Sequence, residues 1–538
     1  MNRRLPFDYN IRRESTFFTA SPLQGVSLQL CEFLLYLAER APSRQIIDVG
    51  CGVVSNLKNR DHALEIICVG EPRLRGFVAM NAPHARFIEQ DLEKGLPHID
   101  IDPSSTPLVV CSNAIERLGR PEALLTDLAK LSQACGYMLI TTPDRVRSRG
   151  LMDMGPPKND THTMEWTADE LGRLMLDCGF RKNFFIGYSP SNDLGAKNAV
   201  LAVAGRNVTF SRPHEVKSVA AIIAIYNEED IIEELVRYLK AQGVDVHIVD
   251  NWSTDHSWEK AQRLYAEGVC KGVVRFPAAP TSDFELANIL RHTAEYAAKL
   301  ESDWVMHYDA DEFRCAPWPE ATLAEAITFV DGLGCSAIDF TVLNFGFTGH
   351  EDQDRFSPNA FKFFDFARHP SHLLQVKAWK NDRRVLDLVA TAGHVAVFPG
   401  SHVYPIKFLT RHYPLRSAKH AAKKLFKDRL PRVEREKRER GWHNHYDTYL
   451  GMTCVGPWRR YELLNFDLHM FNAEYLIERL SGVGIETEAR AIPSVNTWFL
   501  RDDMNRTAIA RLERTLGDLQ AENDALKSKL AEDGKRQA

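Results

Sequence analysis

Among the 538 residues, no stretch holds about 18 consecutive apolar side chains, so no helix is expected to cross a bilayer. No Cys-x-x-Cys pair occurs among the ten cysteines, and no Cys/His spacing suits zinc. The scattered thiols are expected to stay free, which suits a reducing, cytoplasmic compartment. Arg3 and Arg4 have no apolar run behind them, so no secretory signal is expected. Excess positive charge is absent too. A formal net charge of -5 argues against a protein built to coat nucleic acid. What is present is ordinary: 44% apolar and 26% charged residues permit packed cores and exclude disorder throughout. At roughly 150 residues per domain, the length suggests two large domains plus extras.

The pattern changes along the chain. Residues 1–43 form an N-terminal extension with a helical stretch over Leu28–Glu39, where Leu30, Phe33, Leu34 and Leu37 recur at helical spacing. Residues 44–206 alternate short apolar runs (45–49, 66–69, 108–111, 137–141, 199–204) with helical or loop segments, the signature of an open α/β sheet. Residues 207–217 are polar, contain Pro213 and read as a linker. A second alternation fills 218–500, with strands expected at 219–225, 246–249, 273–276, 304–308 and 337–343. At the end, Ile509, Leu512, Leu516, Leu519, Asn523, Leu526 and Leu530 follow an a/d heptad seam. A coiled-coil helix is therefore expected over 505–533, with Asn523 favouring a parallel homodimer.

Asp48-Val49-Gly50-Cys51-Gly52 places two glycines directly after a strand, where they allow a tight turn and close approach to a ligand. Glu71 stands at the tip of the next strand, placed to accept both hydroxyls of a ribose. Asp91, one strand later and followed by Leu92, is placed to bond an adenine amino group. Val109 to Leu118, including Asn113, comes next, then Thr142-Pro143-Asp144-Arg145, His162 to Thr167 and Cys178-Gly179-Phe180. This series resembles the class I S-adenosylmethionine-dependent methyltransferases over roughly 44–205. The resemblance implies a Rossmann-like fold that binds S-adenosylmethionine through Asp48, Gly50, Gly52, Glu71, Asp91, Leu92 and Asn113. With a sugar hydroxyl as acceptor, His162 or Glu165 would be the proton acceptor.

The second constellation starts with a buried-strand run, Val219–Ile225, that ends in Tyr226-Asn227-Glu228. The next strand ends at Asp250, placed to take a hydrogen bond from a pyrimidine ring nitrogen. Trp304–Tyr308 then runs into Asp309-Ala310-Asp311. Two carboxylates one residue apart after an apolar strand suit a hard divalent cation, Mn²⁺ or Mg²⁺, which also binds the phosphates of a nucleotide diphosphate. Lys377-Ala378-Trp379-Lys380-Asn381, Gly393-His394, Phe398-Pro399-Gly400, Arg411 to Ser417 and Gly441-Trp442-His443 follow in order. The set resembles the family 2-like glycosyltransferases of the GT-A fold, in a branch tied to bacterial polysaccharide synthesis. The resemblance implies transfer from a nucleotide-diphosphate sugar to a glycan or lipid-linked glycan, with the donor bound by Tyr226, Asn227, Glu228, Asp250, Asp309, Arg411 and Arg416. Asp309, Asp311 and His412 would hold the metal. An inverting reaction needs a general base, and Glu351, Asp352 and Asp354 are the candidates.

Residues 407–440 carry thirteen Lys/Arg against four Asp/Glu. Such a stretch suits a solvated helix face, a sugar diphosphate, or an anionic membrane surface at the inner face of the plasma membrane. The expectation is thus an α/β chain: a methyltransferase-like domain, a GT-A domain and a C-terminal coiled coil. Two alternatives stand beside the bifunctional enzyme. One is a glycosyltransferase on a degenerate methyltransferase scaffold; the other is a coiled-coil assembly protein without activity.

Overall fold

The structure is a computed structural model that describes residues 5–6, 9–12, 28–41, 43–54, 64–101, 105–180, 184–189, 199–351, 355–366, 374–396 and 398–466. The expected coiled coil over 505–533 lies outside the described residues, as do Asp352 and Asp354. The chain divides into two compact units. Among the described residues, one takes those up to Pro213 with Tyr404–Lys407, the other His214–Val403 and 408–466.

The first unit contains α1 (Leu28–Arg40), β1 (Gln45–Val49), β2 (Glu65–Gly70), α2 (Arg75–Asn81), β3 (Arg86–Glu89) and β4 (Leu108–Ser112). α3 (Pro121–Leu131), β5 (Tyr137–Pro143), α4 (Arg145–Arg149), α5 (Ala168–Asp177), β6 (Phe185–Ser189) and β7 (Ala199–Ala204) complete it. The sheet order is β3-β2-β1-β4-β5-β7-β6, parallel except for β7. The order reverses at β1, so the tips of β1 and β4 diverge and leave room for a ligand. Ile46–Val49 and all of β4 are buried, as befits central strands covered on both faces. Ile47, Val49, Val109 and Cys111 pack with Leu124 and Leu128 of α3 and Leu171 and Leu174 of α5. A capping box between Thr167 and Glu170 satisfies the first amides of α5.

The second unit begins with β8 (Val219–Ile225), α6 (Ile232–Ala241), β9 (Val244–Asp250), α7 (Ser257–Ala266), β10 (Gly272–Arg275) and α8 (Leu286–Ala297). It continues with β11 (Trp304–Asp309), β12 (Glu312–Cys315), α9 (Leu323–Gly332), β13 (Ala337–Gly346), β14 (Phe363–Phe366) and β15 (Val376–Lys380). β16 (Phe408–Leu415), α10 (Ala418–Ala422), α11 (Glu434–Arg440) and β17 (Leu464–Asn465) follow. β10, β9, β8 and β11 are parallel neighbours, and β15 joins β11 antiparallel. α6 covers this sheet with Ile232, Leu235, Val236 and Leu239, one apolar stripe at helical spacing.

β16 decides the geometry beyond that core. It pairs with β12 on one side and β13 on the other, setting His412 opposite both Glu312 and Asn344. Strands at 219–225, 244–250, 272–275, 304–309 and 337–346 cover the alternation read from sequence. β12, β14, β15, β16 and β17 were not anticipated. They are short, or carry charged residues that break the apolar pattern.

Candidate functional site

In the first unit the turn after β1 is built around Asp48. Its carboxylate is fully buried and accepts the N–H groups of Gly52, Val53 and Val54 at 3.2, 3.1 and 3.1 Å. Burial pushes the Asp48 carboxyl up to about 7, against the pull of those three bonds. Gly50 has φ +89°, and a Cβ there would meet Ala114 Cβ at 2.7 Å. A Cβ on Gly52 would lie 2.5 Å from the Ser112 carbonyl oxygen. Both glycines are therefore required to press the turn against the β4 tip.

Glu71 stands just past β2 and pairs with Arg73 at 3.1 Å; burial raises its carboxyl. Asp91 follows β3, caps the short turn Leu92–Lys94 by accepting Glu93 N–H at 3.1 Å, and pairs with Lys94 at 3.2 Å. Leu92 is buried. Asn113 takes a left-handed φ of 52° just beyond β4. The sequence-named residues thus stand at the tips of β1, β2, β3 and β4. That set fits a nucleoside-bearing ligand: a glycine turn, an acid at the β2 tip and a second acid at the β3 tip.

Beside them lies a buried polar cluster that sequence patterns reveal only in part. His162 Nδ1 meets Glu165 Oε1 at 2.9 Å, and its Nε2 faces Glu116 Oε1 at 3.9 Å. Glu116, at the β4 tip, accepts from the Thr142 hydroxyl at 3.0 Å, and burial raises its carboxyl. Arg149 pairs with Glu165 at 3.0 Å, and the Tyr9 hydroxyl accepts from the Glu165 N–H at 3.1 Å.

In the second unit Asp309 ends β11 and Asp311 lies in the turn before β12, so both stand at the C-terminal end of that central strand. Asp309 Oδ2 receives the Lys377 ammonium at 2.5 Å, and the same ammonium donates to Glu312 Oε1 at 3.1 Å. Asp311 Oδ2 receives the Lys424 ammonium at 2.6 Å and lies 3.6 Å from His412 Nε2. Burial works to raise the Asp311 carboxyl, but Lys424 and His412 outweigh it and hold it well below the usual range. His412 Nδ1 bonds Asn344 Oδ1 at 2.8 Å, which aims Nε2 at Asp311. An imidazole so aimed at a carboxylate, with a second acid two residues away, offers donor types that suit a small divalent cation, each acid being answered by a lysine here.

Glu228 and Asp230 stand at the β8 tip, and the Arg416 guanidinium bonds both, at 2.7 Å each. Burial raises the Glu228 carboxyl, and Arg416 opposes it. His420 joins them with a ligand-type atom within 4.8 Å of theirs, so among the described residues this trio has metal-ligand spacing, with Arg416 as its counter-charge. Asn227, at φ 58°, bonds Thr254 and Asp428, the latter at 3.0 Å. The Tyr226 ring lies 3.9 Å from the Arg432 guanidinium carbon. Asp250 is sealed from solvent, capped by Ser253 N–H and bonded by Arg275 at 3.2 Å. Arg275 in turn lies over the rings of Trp252 and Trp258 at 4.5 and 4.3 Å.

The structure sets His412 Nε2 3.6 Å from Asp311 Oδ2, with Asp309 two residues earlier at the end of β11. It does not bring Arg411 to them. Neighbouring strand residues face opposite ways, so Arg411 turns from His412's side and lies against Phe313, in the fields of Cys315 and Tyr413. Arg416, expected at the sugar diphosphate, is committed to Glu228 and Asp230. Glu351 is buried in its own loop, with its carboxylate accepting the N–H groups of Thr348, Gly349 and His350 at 2.7–3.2 Å and the Thr348 hydroxyl at 2.8 Å. Lys377, Lys424 and Asp230 carried no assigned role in the sequence. Lys377 had a signal in its recurring segment, and Lys424 in the basic stretch 407–440 read as suiting a sugar diphosphate.

Comparison with known proteins matches this division. Residues 24–182 match the family model described as a methyltransferase domain, and residues 220–313 match that of glycosyl transferase family 2. A methyltransferase domain stands ahead of a family 2 glycosyltransferase domain. A probable S-adenosylmethionine-dependent methyltransferase of Mycobacterium tuberculosis is 26% identical over 149 residues, 27% of this chain and 51% of that protein. One from Mycolicibacterium smegmatis is 26% identical over 156 residues, 28% of this chain and 57% of the relative. The chain spans about half the length of these curated relatives. Among solved structures, the plantazolicin methyltransferase BpumL in complex with SAH is 13% identical, covering 34% of this chain and 86% of that one at a TM-score of 0.25. PigF with SAH is 14% identical, covering 30% of this chain and 50% of that one at a TM-score of 0.24. Likenesses that loose leave the fold argument to the strand order itself. Among the described residues no helix is long and apolar enough to cross a membrane.

Proposed function

We propose that the glycosyltransferase domain moves a sugar from a nucleotide-diphosphate sugar to a surface-glycan or glycolipid acceptor with the help of Mn²⁺ or Mg²⁺. The methyltransferase domain binds S-adenosylmethionine and methylates the same glycan. The observation that carries the first half is His412 Nε2, oriented by Asn344, facing Asp311 just beyond the β11 end that carries Asp309. These three hold the cation. When bound, it neutralises charge building on the leaving diphosphate. Tyr226 and Asn227 stand at the β8 tip that receives the nucleoside; Asp250 is sealed from solvent and Glu228 is spent on Arg416, so neither meets it directly as the sequence suggested. Arg416 holds Glu228 and Asp230 in place, and Asp250 positions Arg275. Glu351 shapes its loop, which leaves Asp352 and Asp354 as the acids that take the acceptor proton.

In the methyltransferase domain, Asp48 shapes the turn, Gly50 and Gly52 let it close, and Glu71, Asp91, Leu92 and Asn113 contact the cofactor. S-adenosylmethionine supplies the methyl group. Dimerisation through 505–533 and peripheral membrane contact through the basic stretch rest on the sequence pattern.

The test is a thermal-shift panel with UDP, GDP, CDP and dTDP, with and without Mn²⁺, on the wild-type chain and Asp311→Ala. A ligand at 100 times its Kd adds about 2.7 kcal/mol to the fold that binds it. A Mn²⁺-dependent shift with one nucleotide, lost in Asp311→Ala, is expected. Equal shifts in both proteins, or none, would remove the transferase site. Titration with S-adenosylhomocysteine tests the other domain in the same way.

A further inference from the structure

The chain after β16 carries an irregularity. α10 runs straight into a π-helical stretch, Lys423–Arg429, and the wider winding shows in the bond from Leu430 N to Leu425 O at 2.9 Å. Such turns are rare in regular helices and gather at functional sites. This one aims two neighbouring lysines at different acids. Lys423 bonds Asp255 at 2.8 Å, with Glu229 at 3.5 Å. Lys424, with only 13% of its side chain exposed, bonds Asp311 at 2.6 Å.

The two ammonium groups at the acidic pair differ in how they are held. Lys377 is shared between Asp309 and Glu312, and Glu312 also bonds Arg314 at 2.5 Å. Removing Asp309 from that set leaves Lys377 a buried partner. Lys424 pairs with Asp311, on the same Oδ2 that His412 faces. A divalent cation held by Asp311 and His412 therefore competes with Lys424 for a single oxygen. Displaced from it, the ammonium keeps the field of Glu228, which Arg416 already holds, and a diphosphate brought in with the cation supplies the free anion.

We propose that Lys424 is a donor-diphosphate-binding residue, held on Asp311 until the cation and the nucleotide diphosphate arrive together. This rests on Asp311 as a cation ligand. It yields effects of opposite sign. Without Lys424 the cation loses a competitor and binds more tightly alone, while the diphosphate loses a partner and binds more weakly.

The experiment titrates the full chain with Mn²⁺, following the free-ion electron paramagnetic resonance signal, and then with UDP and GDP at saturating Mn²⁺. The proteins are wild type, Lys424→Met, Lys424→Gln and Lys423→Met; the Gln variant retains a hydrogen bond to Asp311. Both Lys424 variants are expected to bind Mn²⁺ at least about tenfold more tightly and the nucleotide at least about tenfold more weakly. Lys423→Met is expected to leave Mn²⁺ affinity within about twofold. Unchanged or weaker Mn²⁺ binding in the Lys424 variants would overturn the proposal. So would unchanged nucleotide binding, or loss of cooperative melting in both, which would make Lys424 a structural residue. A wild-type chain that binds no Mn²⁺ would instead remove the cation site on which the proposal stands.

Discussion

Replacing Arg416 by Met tests whether the β8 tip is held by charge. The guanidinium is 2% exposed and bonds Glu228 Oε2 and both Asp230 oxygens at 2.7 Å. Glu228 is buried as well, 5% exposed at its side chain. Removing one partner of a buried pair leaves the other charge uncompensated, at a cost of about 3–5 kcal/mol. Lys424 also faces this region and softens the loss, so the lower end of that range is expected. For a unit of this size, that is a fall in melting temperature of roughly 6–12 °C. Glu228→Gln in the same chain removes the stranded charge. The double variant should recover about 2 kcal/mol relative to simple addition of the two single effects. The assay is urea unfolding followed by tryptophan fluorescence, with hydrogen exchange at β8 amides locating the loss. An Arg416→Met cost under about 1 kcal/mol, with no coupling to Glu228→Gln, would refute the reasoning.

Three further outcomes are expected. Asp48 has its carboxyl raised to about 7 from 3.8, so its neutral form is the one the fold favours. The associated stability, of order 4 kcal/mol, is present below pH 4 and lost as pH rises through 7. Asp48→Asn should flatten that slope, as read by thermal unfolding and hydrogen exchange at β1 between pH 5 and 8. Gly52→Ala places a Cβ 2.5 Å from the Ser112 carbonyl oxygen, and is expected to cost about 1–3 kcal/mol and weaken S-adenosylhomocysteine binding in calorimetry. Glu351→Gln removes charge-assisted bonds to Thr348, Gly349 and His350, costs roughly 1–3 kcal/mol, and speeds hydrogen exchange at those amides. Unchanged exchange with a collapsed kcat would make Glu351 the base instead.

Much of the fold was legible because its strands announce themselves locally. Val219–Ile225 and Leu108–Ser112 are apolar runs bounded by polar tips, and both became central parallel strands. β12 and β16 were not legible. Glu312-Phe313-Arg314-Cys315 and the run around Arg411 and His412 carry charges that only a specific partner strand can satisfy. Their pairing places His412 beside Asp311, so its proposed role needed family resemblance at first and β16 register afterwards.

Local pattern was enough to place the acids at strand ends: Asp250 and Asp309 close their strands, Asp48 stands one residue before the end of β1 and Asp311 just past β11, because a strand tip is a local property of its own residues. Gly50 and Gly52 likewise belong to one turn. Tertiary structure alone decided what answers each charge. Lys377 reaches Asp309 across 68 positions, Lys424 reaches Asp311 across 113, and Arg416 reaches Glu228 across 188. No period in the chain encodes those partners. They follow from strand order and from the register of β16 between β12 and β13, where a shift of one residue would turn His412 away and bring Arg411 in.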